Sequence, residues 1–279
     1  LKDNLCDDSR LGLSPTNMTE GERVCNTAEE SIAKSIIAEE ISRVFLLDCA
    51  PLFRIRLLTL RQQSYVVICI HHIISDGLSL HILIQKLFTY YDLLIKHEPM
   101  RLITDSGFYD FIQQENRKLS QGKYNQHKTF WDEKMKGAVL LSTKSEHAQK
   151  KINGLGKEKQ FFIPTALSKK LYAIAMDNEV TPFMFFLATL SVLMRFYTKS
   201  SNIVLMSPLT FRPDCDYESA VGCFINTLPL RFSLKEDVSF SNVLSQASKA
   251  LMDAYIHIEY PTNLILRNHV SLSQVNATA

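Results

Sequence analysis

Residues 64–85, "SYVVICIHHIISDGLSLHILIQ", constrain the fold more than any other segment of the chain. They begin with a run of β-favouring apolar residues and continue into apolar residues that recur at helical spacing for about four turns. His71, His72, Asp76 and Gly77 stand between the two patterns, where a buried strand needs none of them. The segment therefore predicts a strand, a short loop and a helix, with polar groups beside the helix N-terminus.

The rest of the chain alternates between helical and extended patterns, which predicts an α/β fold. Further helices are predicted over residues 27–48, 107–119, 124–137, 166–178, 182–197 and 239–257. Strands are predicted over residues 51–60, 63–72, 161–164, 202–214 and 221–234. The run at 63–72 is apolar on both faces, which is typical of a central strand that is covered on both sides.

A length of 279 residues suits two lobes, and the chain becomes polar and lysine-bearing near its middle. We therefore expect an N-terminal lobe over 1–140, a linker over 141–160 and a C-terminal lobe over 161–279. The polar residues 1–27 are expected to form a loop. The chain also opens on Leu1 rather than Met, which suggests that it belongs to something longer.

Composition argues against several classes of function. The net charge is +2, from 31 basic and 29 acidic residues, whereas a nucleic-acid binder carries a clear basic excess. The six cysteines show no metal-ligand spacing, and their scatter suits a reducing cytoplasm. The longest apolar run, residues 180–194, is too short to span a bilayer and indicates a buried helix.

Three interpretations of the two histidines remain open on the residues alone. Side chains alternate between the faces of a strand, so His71 and His72 cannot share one pocket if the strand persists through them. They could both be structural, or they could bind a metal together with Asp76. One of them could instead act as a general base, because a neutral imidazole near pH 7 suits that chemistry.

A resemblance to a known family selects among these interpretations. "HHIISDG" closely resembles the His-His-x-x-x-Asp-Gly motif of nonribosomal peptide synthetase condensation domains, which are relatives of chloramphenicol acetyltransferase. Four more segments resemble that family's motifs in the family's order: "APLFRIRLL", "FYDFIQQ", "SPLTFRPDCDYESAVGCFINTLPLR" and "HIEYP". The resemblance implies two chloramphenicol-acetyltransferase-like lobes, each a mixed sheet with covering helices, and an active site in the tunnel between them.

Carried over residue by residue, the resemblance implies that His72 is catalytic, as a base or as a positioner of the attacking amine. Asp76 is implied to be mainly architectural, in an ion pair with Arg212. Gly77 is implied to leave room beside the histidine, and its N–H to help hold the reacting carbonyl. His71 and Asn226 are implied to give structural support.

The implied reaction is amide formation between an acyl or peptidyl thioester and an aminoacyl thioester. Phosphopantetheine arms of upstream and downstream carrier protein domains would deliver both thioesters, with an adenylation domain adjacent. The resemblance implies no directly bound cofactor, no metal, no nucleic acid and no membrane partner. Two alternatives are a stand-alone coenzyme A-dependent acyltransferase of the same superfamily and a non-catalytic module that binds carrier proteins. The family's motif upstream of "PLFRIRLL" and its segment after "HIEYP" are not found, so truncation at both ends is expected.

Overall fold

The computed structural model describes residues 20–100, 106–139, 159–213 and 215–269. They fall into two compact units, Leu1–Ser75 and Asp76–Ala279, and each unit is described by itself. The expected boundary between lobes at 141–160 lies outside the described residues except for 159 and 160. That boundary therefore stays a prediction.

Among its described residues, the first unit carries helix α1 (Glu20–Ser42), a hairpin of strands β1 (Phe53–Thr59) and β2 (Ser64–Ile70), and a short 3-10 turn, His72–Ile74. The hairpin is antiparallel, with Phe53 opposite Ile70 and Thr59 opposite Ser64, which confirms the prediction for these two strands. Helix α1 begins at residue 20, so the loop expected through residue 27 is wrong for 20–27. The first turns of α1 lack the apolar spacing on which the prediction depended.

Strand β2 differs from the covered central strand that its composition indicates. Among the described residues, β2 pairs only with β1. Val66 is 51% exposed, although it lies in the middle of the apolar run. An apolar composition shows that a strand can be covered, but the covering must come from other segments, which the run itself does not specify.

The second unit carries seven helices and one hairpin among its described residues. The helices are α2 (Gly77–Ile95), α3 (Gly107–Ser120), α4 (Asn125–Met135), α5 (Thr165–Asp177), α6 (Pro182–Thr198), α7 (Phe240–Ile256) and α8 (Thr262–His269). Strands β3 (Asn202–Thr210) and β4 (Ile225–Ser233) pair antiparallel, and a 3-10 turn, Cys215–Tyr217, lies between them. Helices α2 to α7 confirm the helix predictions for those segments, whereas α8 was not predicted.

The core of the second unit lies on the β3–β4 hairpin. Helices α6 and α7 pack against the hairpin and each other, and α8 packs against β4 and α4. The largest fully buried side chains here include Trp131, Met135, Ile203, Leu228, Leu230, Phe232 and Leu244. The apolar side chains of both strands and of the covering helices therefore form one cluster.

Two further expectations for this unit are wrong. Residues 161–164 form no strand, and Phe161 and Phe162 are 79% and 94% exposed, because no described segment pairs with them. Helix α6 is capped by Thr181 with Pro182 in its first turn, as predicted, but it is not buried all round. Phe183 and Phe196, for example, are 50% and 67% exposed. Where the chain is described, no single helix is long and apolar enough to cross a membrane; α5 and α6 pass that test only jointly, bent by 100°.

Candidate active site

His71 is held by contacts within the first unit. Strand β2 ends at Ile70, so both histidines follow the strand and the opposite-face argument does not apply to them. The ring Nδ1 of His71 accepts a hydrogen bond from the N–H of Ile73 at 3.1 Å. The ring of Phe45 meets the His71 ring edge-on, with 6.0 Å between centroids. An accepting Nδ1 carries no proton, so this contact also selects the tautomer of neutral His71.

His72 opens a 3-10 turn, His72–Ile74, and is exposed. The N–H of Ile74 donates to the carbonyl of His71 at 3.1 Å, and the N–H of Ser75 donates to the carbonyl of His72 at 3.4 Å. The backbone is therefore held on both sides of the His72 side chain.

Asp76 begins the second unit as the N-cap of α2. Its carboxylate accepts hydrogen bonds from the N–H and the hydroxyl of Ser79, both at 2.7 Å, and from the N–H of Phe224 at 3.1 Å. Nη2 of Arg212 lies 3.1 Å from Oδ1 and 3.3 Å from Oδ2 of the same carboxylate. The side chains of Arg212 and Asp76 are 6% and 2% exposed. The predicted ion pair is therefore present, and it is buried.

The electrostatics of Asp76 follow from these contacts. Burial alone would raise the pKa of the Asp76 carboxyl. The hydrogen bonds from Ser79 and Phe224 and the charge of Arg212 outweigh burial, so the pKa of Asp76 lies below its ordinary value. The group is therefore an ionised carboxylate at neutral pH, surrounded by donors.

Arg212 also organises the chain that leads into β4. Its Nη1 donates to the carbonyl oxygens of Tyr217 and Ala220, the second at 2.8 Å. The guanidinium carbon lies 4.1 Å from the centre of the Phe224 ring. Nε of Arg212 is buried without a hydrogen-bond partner among the described residues. Arg212 thus binds the Asp76 carboxylate and two backbone carbonyls at once.

Ser79 and Gly222 complete this network, and the sequence did not single them out. The Ser79 hydroxyl, which is fully buried, lies 2.7 Å from the carbonyl oxygen of Gly222 and accepts from its N–H at 3.0 Å. A Cβ at Gly222 would lie 2.2 Å from the ring of Phe108, whereas a Cβ at Gly77 would meet nothing within 4 Å. Asp76 followed three positions later by Ser79 is a capping pattern, but it does not reveal a partner 143 positions away.

Both the nitrogen and the oxygen of the Asn226 side-chain amide form hydrogen bonds within the second unit. Its Nδ2 donates to the carbonyl oxygens of Ile258 and Tyr260 at 2.7 and 2.9 Å. Its Oδ1 accepts from the N–H and the hydroxyl of Thr262 at 3.2 and 2.5 Å. Asn226 therefore holds the start of α8 against β4.

A groove of about 390 Å³ lies beside Asn226 within the second unit. Its apolar lining comes from α3, β4 and the residues around them: Phe108, Phe111, Ile112, Phe211, Phe224, Ile225 and Ile258. Two carboxylates, Glu115 and Glu259, also line it. Burial raises the pKa of the Glu115 carboxyl, and the charge of Lys118 opposes that rise.

Two of the three candidate metal ligands, His71 and Asp76, already take part in hydrogen bonds. Nδ1 of His71 and the Asp76 carboxylate already accept hydrogen bonds from backbone N–H groups. Within the described ranges, no three His, Cys, Asp or Glu side chains are placed to hold an ion. The metal interpretation therefore receives no support from the coordinates of these residues.

The His-His-x-x-x-Asp-Gly segment thus connects strand β2 to the capped helix α2, as its sequence predicts. The chain belongs to the condensation domain family, whose model matches residues 14–276. It is 28% identical over 240 residues to gramicidin S synthase 2 of Brevibacillus brevis, and the match covers 85% of this chain and 5% of the synthase.

Solved structures confirm the chloramphenicol-acetyltransferase-like fold class. The first condensation domain of the calcium-dependent antibiotic synthetase aligns with a TM-score of 0.68 and 17% identity, covering 88% of this chain and 57% of that domain. A four-domain nonribosomal peptide synthetase bound to AMP and glycine aligns with a TM-score of 0.75 and 20% identity, covering 88% of this chain and 19% of that protein. The chain thus spans little more than half of a solved condensation domain.

Proposed function

We propose that this chain is part of a condensation domain that forms an amide bond between two carrier-bound thioesters. The observation that carries the proposal is the arrangement at residues 71–77 in a chain of this family. There an exposed histidine on a hydrogen-bonded turn precedes an aspartate that caps the next helix. The donor is an acyl or peptidyl thioester, and the acceptor is an aminoacyl thioester.

The reaction requires the protein to align the two substrates and to assist the transfer of one proton. The amine nitrogen attacks the thioester carbonyl carbon, the C–N bond forms, the C–S bond breaks, and the thiol leaves with a proton. Alignment of two tethered ends can lower the barrier by about 7–11 kcal/mol. A general base contributes roughly 10²–10⁴-fold in rate.

The site residues divide into one that meets the substrate and several that support it. His72 is the base or the positioner of the attacking amine, which its exposure supports. Asp76 is architectural, because a buried carboxylate with a lowered pKa and several bound donors is a poor proton acceptor. Gly77 is exposed at the first turn of α2 and leaves open space beside it. His71 holds the turn that carries His72, and Arg212 and Asn226 hold backbone segments of the second unit.

The partners follow from the same reaction. Upstream and downstream carrier protein domains present the substrates on phosphopantetheine arms, and an adenylation domain of the same synthetase supplies the aminoacyl group. The two lobes would comprise residues 1–140 and 161–279, joined by 141–160, in a protein of the reducing cytoplasm. No cofactor of its own is required by this reaction.

Replacement of His72 by alanine in the intact synthetase tests the proposal. Product formation from loaded carrier proteins should fall by about 10²–10⁴-fold, the range expected for a lost general base. His81→Ala removes a second exposed histidine, on α2, and should leave the rate unchanged.

Undiminished product formation by His72→Ala would contradict the role of His72. Acyl transfer from coenzyme A by this chain, with no product from carrier-bound substrates, would favour the stand-alone acyltransferase alternative. Carrier binding without any amide product would favour the non-catalytic alternative.

A further inference from the structure

The groove beside Asn226 combines aromatic walls with a surplus of negative charge. Four phenylalanine side chains line it, from α3 and from the segments around β3 and β4: Phe108, Phe111, Phe211 and Phe224. Its volume of about 390 Å³ lies in the range of about 300–1,000 Å³ found for small-molecule sites. The groove is therefore large enough for a group of amino-acid size.

The two carboxylates of the groove are not equally satisfied. Glu259 binds the ammonium of Lys118 at 2.7 Å. Glu115 lies three positions before Lys118 on α3, yet its carboxylate shows no hydrogen bond or ion pair in the part of the chain that the structure describes. Lys118 is thus paired with Glu259, and Glu115 has no such partner among the described residues.

The Glu115 carboxylate gains from a cation brought by a ligand. Its pKa is raised because it is partly withdrawn from water beside apolar side chains. A ligand ammonium would restore a charged partner, and phenylalanine faces also attract cations. Anionic ligands would meet repulsion from Glu115 and Glu259. The lining thus selects a positive group attached to an apolar body.

We propose that this groove binds a primary ammonium with an apolar side chain, with the ammonium on Glu115 and the apolar part on the phenylalanine rings. Glu115 is then a binding residue that selects ligands by their ammonium group and by an apolar side chain.

Binding of phenylalaninamide and N-acetylphenylalaninamide to the full chain tests the assignment. The two probes share the aromatic side chain, but only the first carries an ammonium. Calorimetric or NMR titration should show about tenfold tighter binding of phenylalaninamide, the scale of one hydrogen bond to a charged group. Glu115→Gln should abolish this preference while leaving the weaker binding of the acetylated probe unchanged.

Glu133→Gln supplies the control, because it makes the same change of charge on α4 outside the groove. It should keep the preference for the ammonium. Equal affinity of the unaltered chain for both probes, no binding of either, or a preference that persists in Glu115→Gln would overturn the assignment. Circular dichroism of each variant establishes that its fold is retained.

The binding test is independent of the test of catalysis. Ammonium-selective binding with no amide formation by the intact synthetase would remove the proposed function and leave the site. Amide formation with no ammonium preference in the groove would remove the site and leave the proposed function.

Discussion

Replacement of Asp76 by alanine should destabilise the second unit strongly. The change leaves the Arg212 guanidinium, 6% exposed, without its counter-charge, and it also removes the acceptor for the N–H of Phe224. Breaking a buried ion pair from one side costs about 3–5 kcal/mol, and solvent screening is small at this depth. Since domains are stable by only about 5–15 kcal/mol, this loss is roughly a fifth of the total or more.

The molecule supplies its own probe for this measurement. Trp131 is the single tryptophan and is 1% exposed, so its fluorescence should report unfolding of the second unit in urea. Asp237→Ala, which removes an exposed aspartate, should change the free energy of unfolding by no more than about 0.5 kcal/mol. The two titrations should differ in midpoint and share one slope.

A double-mutant cycle separates the ion pair from the hydrogen bonds. Arg212→Ala alone should also destabilise, because it removes the hydrogen bonds that Arg212 donates to the carbonyl oxygens of Tyr217 and Ala220. The double variant should lose clearly less than the sum of the two single losses, since neither charge is then left buried alone. A loss below about 1 kcal/mol for Asp76→Ala, or simple additivity in the cycle, would refute the argument from burial.

Two further predictions concern packing and pH. Gly222→Ala should cost about 1–3 kcal/mol, because the new Cβ would overlap the Phe108 ring at 2.2 Å, whereas Gly77→Ala has open space and should be tolerated; equal unfolding midpoints would contradict this. His257, whose Nδ1 lies 3.0 Å from Nδ1 of His127, has a lowered pKa, first because of burial and then because of His127, with Asp253 opposing. Folding therefore favours neutral His257, and the stability that this contributes should be lost as pH falls below about 6.5, the ordinary value. Urea midpoints at pH 7.5 and 5.5 measure the effect, which His257→Gln should reduce; an unchanged pH dependence in that variant would count against it.

The sequence predicted local structure well where one segment carries its own signal. Helix α2 could be predicted because its apolar spacing runs the full length of the helix. The cap of α6 could be predicted because Thr181 followed by Pro182 is a local pattern, and the side chain of Thr181 does accept from the N–H of Met184. The hairpin β1–β2 was predictable from two β-rich runs with a short connection.

Features that depend on distant segments could not be predicted from the residues alone. Phe161 and Phe162 suit a strand by composition, but a strand also needs a partner, and none of the described segments provides one. The contact of Ser79 with Gly222 depends on how α2 meets the segment before β4, and the placement of Glu115 in an aromatic groove depends on how α3 lies against the segments around β4. The ion pair of Asp76 with Arg212 was predicted only through the family resemblance, since nothing in either local sequence specifies the other.

The ion pair between Asp76 and Arg212 also has a consequence for the kinetics of folding. It joins positions 136 residues apart, and closing a loop of that length costs roughly 4 kcal/mol of chain entropy before any contact forms. Such a contact is expected to form after the β3–β4 hairpin and the helices that pack on it. Loss of the pair should then speed unfolding much more than it slows refolding, so that Asp76 mainly lengthens the lifetime of the folded second unit.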